Sequence, residues 1–205
     1  TPMLEEQGTA QASAQLGTSG VELKGAYALI DNTYLFGGLS ASDEARADDA
    51  GSSRHRYAEF GAGRNWRPSG PLVLEGAAGV GFGSGRGTAS YQLGESRVRY
   101  AEGSYIKPFL QGNVALKTSW ADFGFVNRLA VIQFGEITRT EGTAAVIDDS
   151  PGYLFWEPSL FIQLGPERLR FNTYVGLSSP VTGDPDFDYH FFNVGVGMQY
   201  RFNLH

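Results

Sequence analysis

Residues 190–204, His190-Phe191-Phe192-Asn193-Val194-Gly195-Val196-Gly197-Met198-Gln199-Tyr200-Arg201-Phe202-Asn203-Leu204, decide how this chain folds. The even positions carry Phe192, Val194, Val196, Met198, Tyr200, Phe202 and Leu204, whereas the odd ones carry Asn193, Gly195, Gly197, Gln199, Arg201 and Asn203. Successive side chains of a strand point to opposite faces. One face of this segment is therefore apolar over most of its length, and the other is polar or bare glycine.

The same two-faced unit recurs toward the N-terminus. Val21, Leu23, Tyr27 and Leu29 oppose Glu22, Lys24, Ala26 and Ala28; Ala58, Phe60, Ala62 and Trp66 oppose Tyr57, Glu59, Gly61, Gly63 and Asn65. Leu72, Leu74, Ala78, Val80 and Phe82 oppose Glu75, Gly79, Gly81 and Gly83, and Ile106, Leu110, Val114 and Leu116 oppose Lys107, Gln111 and Asn113. Phe123, Phe125, Leu129 and Val131 oppose Asp122, Gly124 and Arg128. Leu154, Trp156, Leu160, Ile162 and Leu164 oppose Glu157, Ser159 and Gln163, and Leu169, Phe171, Val175 and Leu177 oppose Arg168, Arg170, Asn172 and Gly176. With small-residue segments at 8–17 and 33–41, about ten strands are expected and no helical period emerges.

Short turns at Asp31-Asn32, Arg67-Pro68-Ser69-Gly70, Ser119 and Gly165-Pro166 alternate with long polar segments at 42–54, 84–103, 138–151 and 179–188. Only Thr18-Ser19-Gly20 is short where a long link is due. Short turns on one end and long loops on the other are the signature of an outer-membrane barrel. The expected fold is an all-β, closed antiparallel transmembrane up-and-down barrel over 8–205, preceded by a periplasmic lead segment, residues 1–7. A soluble, lipocalin-like barrel would turn its apolar face inward and coat its outside with charge; here the charged face is also the glycine face. Trp66, Trp120, Tyr27 and Tyr200 suit an interfacial girdle. Pro108 and Pro158 fall inside strands and, lacking a donor, predict bulges or strand starts. Arg64 lands on the lipid face near the short turns, where its stem can snorkel.

Composition narrows the function. The chain has 205 residues, 28 glycines, no cysteine and a formal net charge of −6, with a mean hydropathy of −0.23. Thiol chemistry, disulfides and Cys-ligated zinc are excluded, and an acidic chain does not make a phosphate-binding face, so no nucleic acid partner is expected. The expected partners are outer-membrane lipid and other outer-membrane proteins of a larger complex. Glu22, Lys24, Glu59, Glu75, Lys107, Asp122, Arg128, Glu157, Arg168 and Arg170 are expected to meet in the lumen, five of each sign, as cross-lumen ion pairs that plug it.

No catalytic, cofactor or metal residues are expected. His55 with Ser52 or Ser53, and His190 with Asp188, are the pairs nearest to a base and nucleophile; His205 is terminal. Asp184, Asp186 and Asp188 resemble the start of a calcium loop but lack its glycine and terminal glutamate. The run Gly79–Gly87 is followed by no helix and is not a phosphate loop.

The opening Thr1-Pro2-Met3-Leu4-Glu5-Glu6-Gln7-Gly8, the Gly25-Ala26-Tyr27-Ala28 strand ending in Asp31-Asn32, Arg54-His55-Arg56-Tyr57-Ala58-Glu59-Phe60-Gly61-Ala62-Gly63, Glu157-Pro158-Ser159-Leu160 and Asn193-Val194-Gly195-Val196-Gly197 resemble a family of small outer-membrane β-barrel proteins of Bacteroidetes-type bacteria. The resemblance implies lipoprotein-like members of mostly unknown function, with a removed signal peptide and an acylated cysteine ahead of Thr1. It supplies a location and no catalytic residues. The expected role is a non-enzymatic structural or accessory subunit of an outer-membrane complex. A narrow channel or hydrophobic-ligand conduit, and a lipid-modifying barrel enzyme, are the alternatives.

Overall fold

A computed structural model describes residues 2–45, 51–93, 95–141, 144–148, 152–182 and 191–204. Its strands are β1 (Thr9–Gly17), β2 (Gly20–Ile30), β3 (Thr33–Ala45), β4 (Gly51–Trp66), β5 (Leu72–Leu93), β6 (Glu95–Lys117), β7 (Ala121–Glu141), β8 (Ala144–Asp148), β9 (Gly152–Leu164), β10 (Leu169–Leu177), β11 (Ser179–Pro180) and β12 (Phe192–Asn203). From β1 to β7 each strand pairs antiparallel with the next, β7 pairs with β9, β9 with β10 and β10 with β12, and β12 returns to β1 through Ala10↔Phe202 and Ala12↔Tyr200. The result is a closed antiparallel barrel of ten strands. Closure pairs β1 with β12 and so removes the two edges that an open sheet would present to lipid. β8 and β11 are short additions that pair with β7 and β9.

The outward face is apolar in a band of defined height. On β5 it runs from Leu72 to Phe82, eleven residues by count, and then changes to Arg86; about 9–11 residues cross a bilayer core as a tilted strand. The neighbours change character at the same level. Leu39 gives way to Asp43, Phe60 to Arg56 and Arg54, and Ile106 to Glu102. Above the band the outward charges pair across strands, Arg54 with Asp43 at 2.7 Å and Arg86 with Glu102 at 3.0 Å. Within the band Asn127 accepts a hydrogen bond from Trp156 Nε1 at 2.7 Å, so this outward amide is partnered. Trp66, Trp120 and Arg64 are exposed at the short-turn rim.

Two expectations are corrected here. Much of the segments expected as long loops is strand: β3 continues to Ala45, β4 begins at Gly51, and β5 and β6 stay paired up to Leu93↔Glu95. Their polar character misleads because both faces of these hairpins lie above the apolar band, where a strand needs no lipid-facing side. The prolines make no bulge. Asn127↔Pro158 and Val80↔Pro108 keep the registers of their ladders. Each proline instead faces a gap on its other side: β6–β7 pairing skips from Ile106↔Gln133 to Phe109↔Ala130, and β9 pairing skips from Gly176↔Ser159 to Ser179↔Trp156, both without change of register. The bulge in this region lies between Gly103 and Tyr105.

Glycine and aromatic residues alternate around the inner wall in a specific way. A Cβ placed on Gly61 would strike Phe36, on Gly63 Tyr34, on Gly79 Phe109, on Gly81 Tyr57, on Gly83 Tyr105, on Gly124 Phe161 and on Gly195 Tyr174. Each ring comes from the adjacent strand and lies across the bare glycine backbone, covering it as a cross-strand partner. Glycine is thus required by a ring of the neighbouring strand, not by crowding from the opposite wall. Gly83→Ala should lose about 1–3 kcal/mol by overpacking against Tyr105, seen as a lower temperature for conversion of the compact to the unfolded gel band. Adding Tyr105→Ala to that variant should recover part of the loss.

Candidate functional site

The bore is built in three levels. At the short-turn end the lead segment turns into the barrel: Met3 and Leu4 are fully buried. Met3 packs against Val73, Ala115 and Phe161, and Leu4 against Ala28 and Tyr34. The polar groups of the segment find partners on the wall. Met3 N–H donates to Glu75 Oε2 at 3.1 Å, Leu4 C=O accepts from Asn65 Nδ2 at 2.6 Å, and Pro2 C=O accepts from Arg201 Nη2 at 3.1 Å. Glu5 C=O accepts from Asn32 N–H at 2.8 Å, and Gly8 N–H donates to Ala28 C=O at 3.0 Å. Met3 takes the left-handed backbone, φ 44°, a conformation costing about 1–3 kcal/mol that aims its N–H and its side chain at the wall together.

Glu5 latches this segment to the rim. Arg67 Nη2 lies 2.6 and 2.9 Å from its two oxygens, and Lys117 Nζ lies 2.9 Å from Oε1. Partial burial alone would raise the Glu5 pKa, but the hydrogen bonds and charges of Arg67 and Lys117 outweigh it and hold the carboxyl below its ordinary value.

Above the rim stand the buried polar groups. Arg170 pairs with Asp122, both almost wholly enclosed, and donates to Thr118 C=O at 2.9 Å. Asn113 donates to Glu75. Arg201 Nε donates to Gln11 at 3.0 Å, and Gln163 and Gln199 exchange hydrogen bonds of 3.2 and 3.1 Å. The middle level holds the remaining pairs: Arg128 to Glu59 at 3.0 Å, Lys107 to Glu157 at 2.7 Å and Lys24 to Glu22 at 2.9 Å. Arg128 Nε also donates to Gln111 at 2.9 Å, and its guanidinium sits 4.2 Å over the Phe109 ring. Tyr57 donates to Glu59 at 3.1 Å. A buried charge is tolerable when paired and hydrogen-bonded in this way.

Between and above these groups, up to the third level at the long-hairpin end, the bore is open space. A cavity of about 890 Å³ extends from Pro2 through the middle level to Ser19, Thr88 and Asn193 at the long-hairpin end. The charges alone therefore do not fill the bore, and the buried lead segment lies at its lower end.

Eight of the ten expected lumen charges stand in four ion pairs, and Glu75 is buried against Asn113 and Met3. Arg168 is the exception. It has the inward parity but lies in the turn between β9 and β10, exposed, because the ladder starts one residue later at Leu169↔Tyr200. Lys117 and Arg201 were legible as inward positions of their strands, yet were not among the expected lumen charges; Glu5 carried no periodic signal.

The histidine pairings are also placed. His55 Nε2 lies 2.6 Å from the Tyr105 hydroxyl, and Ser52 Oγ lies 2.9 Å from Thr88 Oγ1. His190, His205 and Asp184, Asp186 and Asp188 lie outside the described residues.

No family model matches the chain, and no curated protein does. Among solved structures, the chain is similar to the translocator domain of the autotransporter NalP from Neisseria meningitidis, at 12% identity and a TM-score of 0.56, over 95% of this chain and 87% of that one. It also matches Acinetobacter baumannii CarO at 14% identity, over 93% of this chain and 96% of that one, with a TM-score of 0.41. The fold is that of an outer-membrane β-barrel.

Two outcomes are expected. Arg170→Leu leaves Asp122 buried without its counter-charge and should cost about 3–5 kcal/mol, read from thermal unfolding in detergent. Because the folded-state pKa of Glu5 is depressed, its latch contributes fully above the ordinary carboxylate pKa and is lost as pH falls through the lower folded value. A spin label at Glu6→Cys, the sole cysteine of that variant, should therefore gain mobility on acidification, and adding Glu5→Gln should make it mobile already at pH 7.

Proposed function

We propose that this protein is a non-enzymatic barrel of the bacterial outer membrane whose bore is closed on the periplasmic side by its own N-terminal segment. It serves as an accessory subunit embedded beside other outer-membrane proteins. The observation that carries this reading is the lead segment itself, whose Met3 and Leu4 are buried in the bore and whose Glu5 is held by Arg67 and Lys117. The outward band of bilayer height supports the location. The short turns and both chain ends then face the periplasm, and the long hairpins face outside, as in outer-membrane barrels generally. Assignment to the Bacteroidetes-type family rests on the sequence resemblance.

The accessory role is supported by the outward face of β1. Ala12 and Ala14 are exposed there, Ala12 beside Gly25 of β2 and Tyr200 of β12, and Ala14 beside Leu23 and Met198, so another transmembrane wall can approach closely over the small Ala12–Gly25 pair. A photocrosslinker at Ala12 should capture a defined membrane protein in native membranes; capture of lipid alone removes the accessory reading.

A narrow channel is the second reading, favoured by the cavity left above the lead segment. Planar-bilayer recording separates the two. The closed barrel should be silent, and deletion of residues 2–7 should make it conduct. Steady conductance by the intact protein, with a selectivity that Arg128→Gln alters, would establish the channel instead.

A further inference from the structure

The row of inward glycines on β5 continues beyond its rings. Gly79, Gly81 and Gly83 are covered by Phe109, Tyr57 and Tyr105, but a Cβ on Gly85 or Gly87 would meet nothing within 4 Å. The wall that elsewhere seats an aromatic ring therefore has two bare seats at the long-hairpin end. Gly87 has small ladder neighbours on both sides, Ser53 and Ala101, and Gly85 has Gly103 on one side and His55 on the other. All of these line the cavity.

The lower edge of this shelf is an aromatic platform. His55, the ladder partner of Gly85, and Tyr105 have rings 5.9 Å apart and tilted by only 10°, and a 2.6 Å hydrogen bond joins them edge to edge. Tyr57 extends the same surface at 6.2 Å and 20° from Tyr105. Across the cavity wall Ser40, Ser42 and Ser53 add hydroxyls. The charges beneath are mutually paired, Arg128 with Glu59 and Lys107 with Glu157, so the wall offers no net charge to recruit an ion.

We propose that this shelf binds a neutral sugar ring, laid on the bare backbone of Gly85 and Gly87 and bordered by the His55–Tyr105 platform. A pyranose has what this wall takes: a flat C–H face for glycine backbone and aromatic rings, and a rim of hydroxyls for serine hydroxyls that both donate and accept. A planar apolar ligand would leave the serines unanswered, and an anionic one would find the described cations lining the cavity, Lys24, Arg54, Arg86 and Arg128, already in ion pairs. The cavity, about 890 Å³, lies within the roughly 300–1,000 Å³ of ordinary ligand sites. It accommodates a short oligosaccharide. This inference does not depend on whether the bore conducts or on the accessory role.

The test uses the full-length protein in detergent against immobilised neutral oligosaccharides (maltohexaose, cellohexaose, mannohexaose, and galactose- and glucosamine-based hexamers), with hexagalacturonate as the acidic control. Purified lipopolysaccharide of the producing cell forms a separate arm. The expected result is retention of at least one neutral glycan and not of the acidic one. Gly87→Leu, which fills the seat, should weaken that binding by about tenfold or more while leaving the heat-modifiable gel band of the folded barrel in place. Ser42→Val should weaken it with no change to the shelf itself, which keeps the test valid if Gly87→Leu fails to fold. Tyr105→Phe, retaining the ring, should keep it. Binding in the hexamer arm identifies a free glycan as the source; binding in the lipopolysaccharide arm alone identifies the cell's own surface polysaccharide. Failure to retain a neutral sugar in either arm, preference for the acidic glycan, or undiminished binding by folded Gly87→Leu and Ser42→Val overturns the proposal.

Discussion

The wall of this barrel depends on aromatic rings laid over glycines of the adjacent strand. Glycine weakens a strand because it packs nothing and loses the most entropy on folding. Here Tyr34, Phe36, Tyr57, Tyr105, Phe109, Phe161 and Tyr174 each supply the cover that glycine lacks. The arrangement fills the inner perimeter with rings lying along the wall instead of across the bore. It accounts together for these inward glycines, for the aromatic residues on the polar face and for the space that survives inside a small barrel.

That space places demands on the charges around it. In a wall seen partly by water and partly by protein, an unpaired ion costs several kcal/mol. The bore answers with local pairs: Arg128 reaches Glu59 over the face of Phe109, and Lys107 reaches Glu157. The same rule governs the lead segment. Its backbone enters a place where unmatched N–H and C=O groups are expensive, and Glu75, Asn65, Arg201 and Asn32 meet them one by one. A segment held by side chains from β4, β5 and β12 and by the β2–β3 turn ties distant parts of the ring together at its short-turn end.

Above the apolar band the chain goes on as paired strands into a polar setting. The hairpins of β3 to β7 keep their ladders there, with Arg54–Asp43 and Arg86–Glu102 replacing apolar contacts on the outside. Function, on this reading, is divided by height. The lower level closes the bore, the middle level neutralises it, and the upper level opens into a cup whose wall combines bare glycine, aromatic rings and hydroxyls.

The sequence by itself determined the strand period, the two faces, the strand number and the antiparallel closure, because alternation and turn spacing are local properties that each residue expresses in place. It also placed most of the lumen charges, since parity within a strand decides which face a residue joins; Arg168 shows the limit, as parity does not say where the ladder begins. Only the tertiary structure decided the rest. Which ring covers which glycine depends on inter-strand register, and so do the mates of Arg128 and Lys107. The entry of Pro2–Gly8 into the bore has no periodic signature, because that segment takes its structure from partners on strands far away in sequence. The prolines make the same point: Pro108 and Pro158 keep their places because the ladder skips two pairs beside each, a solution set by neighbouring strands and invisible along the chain.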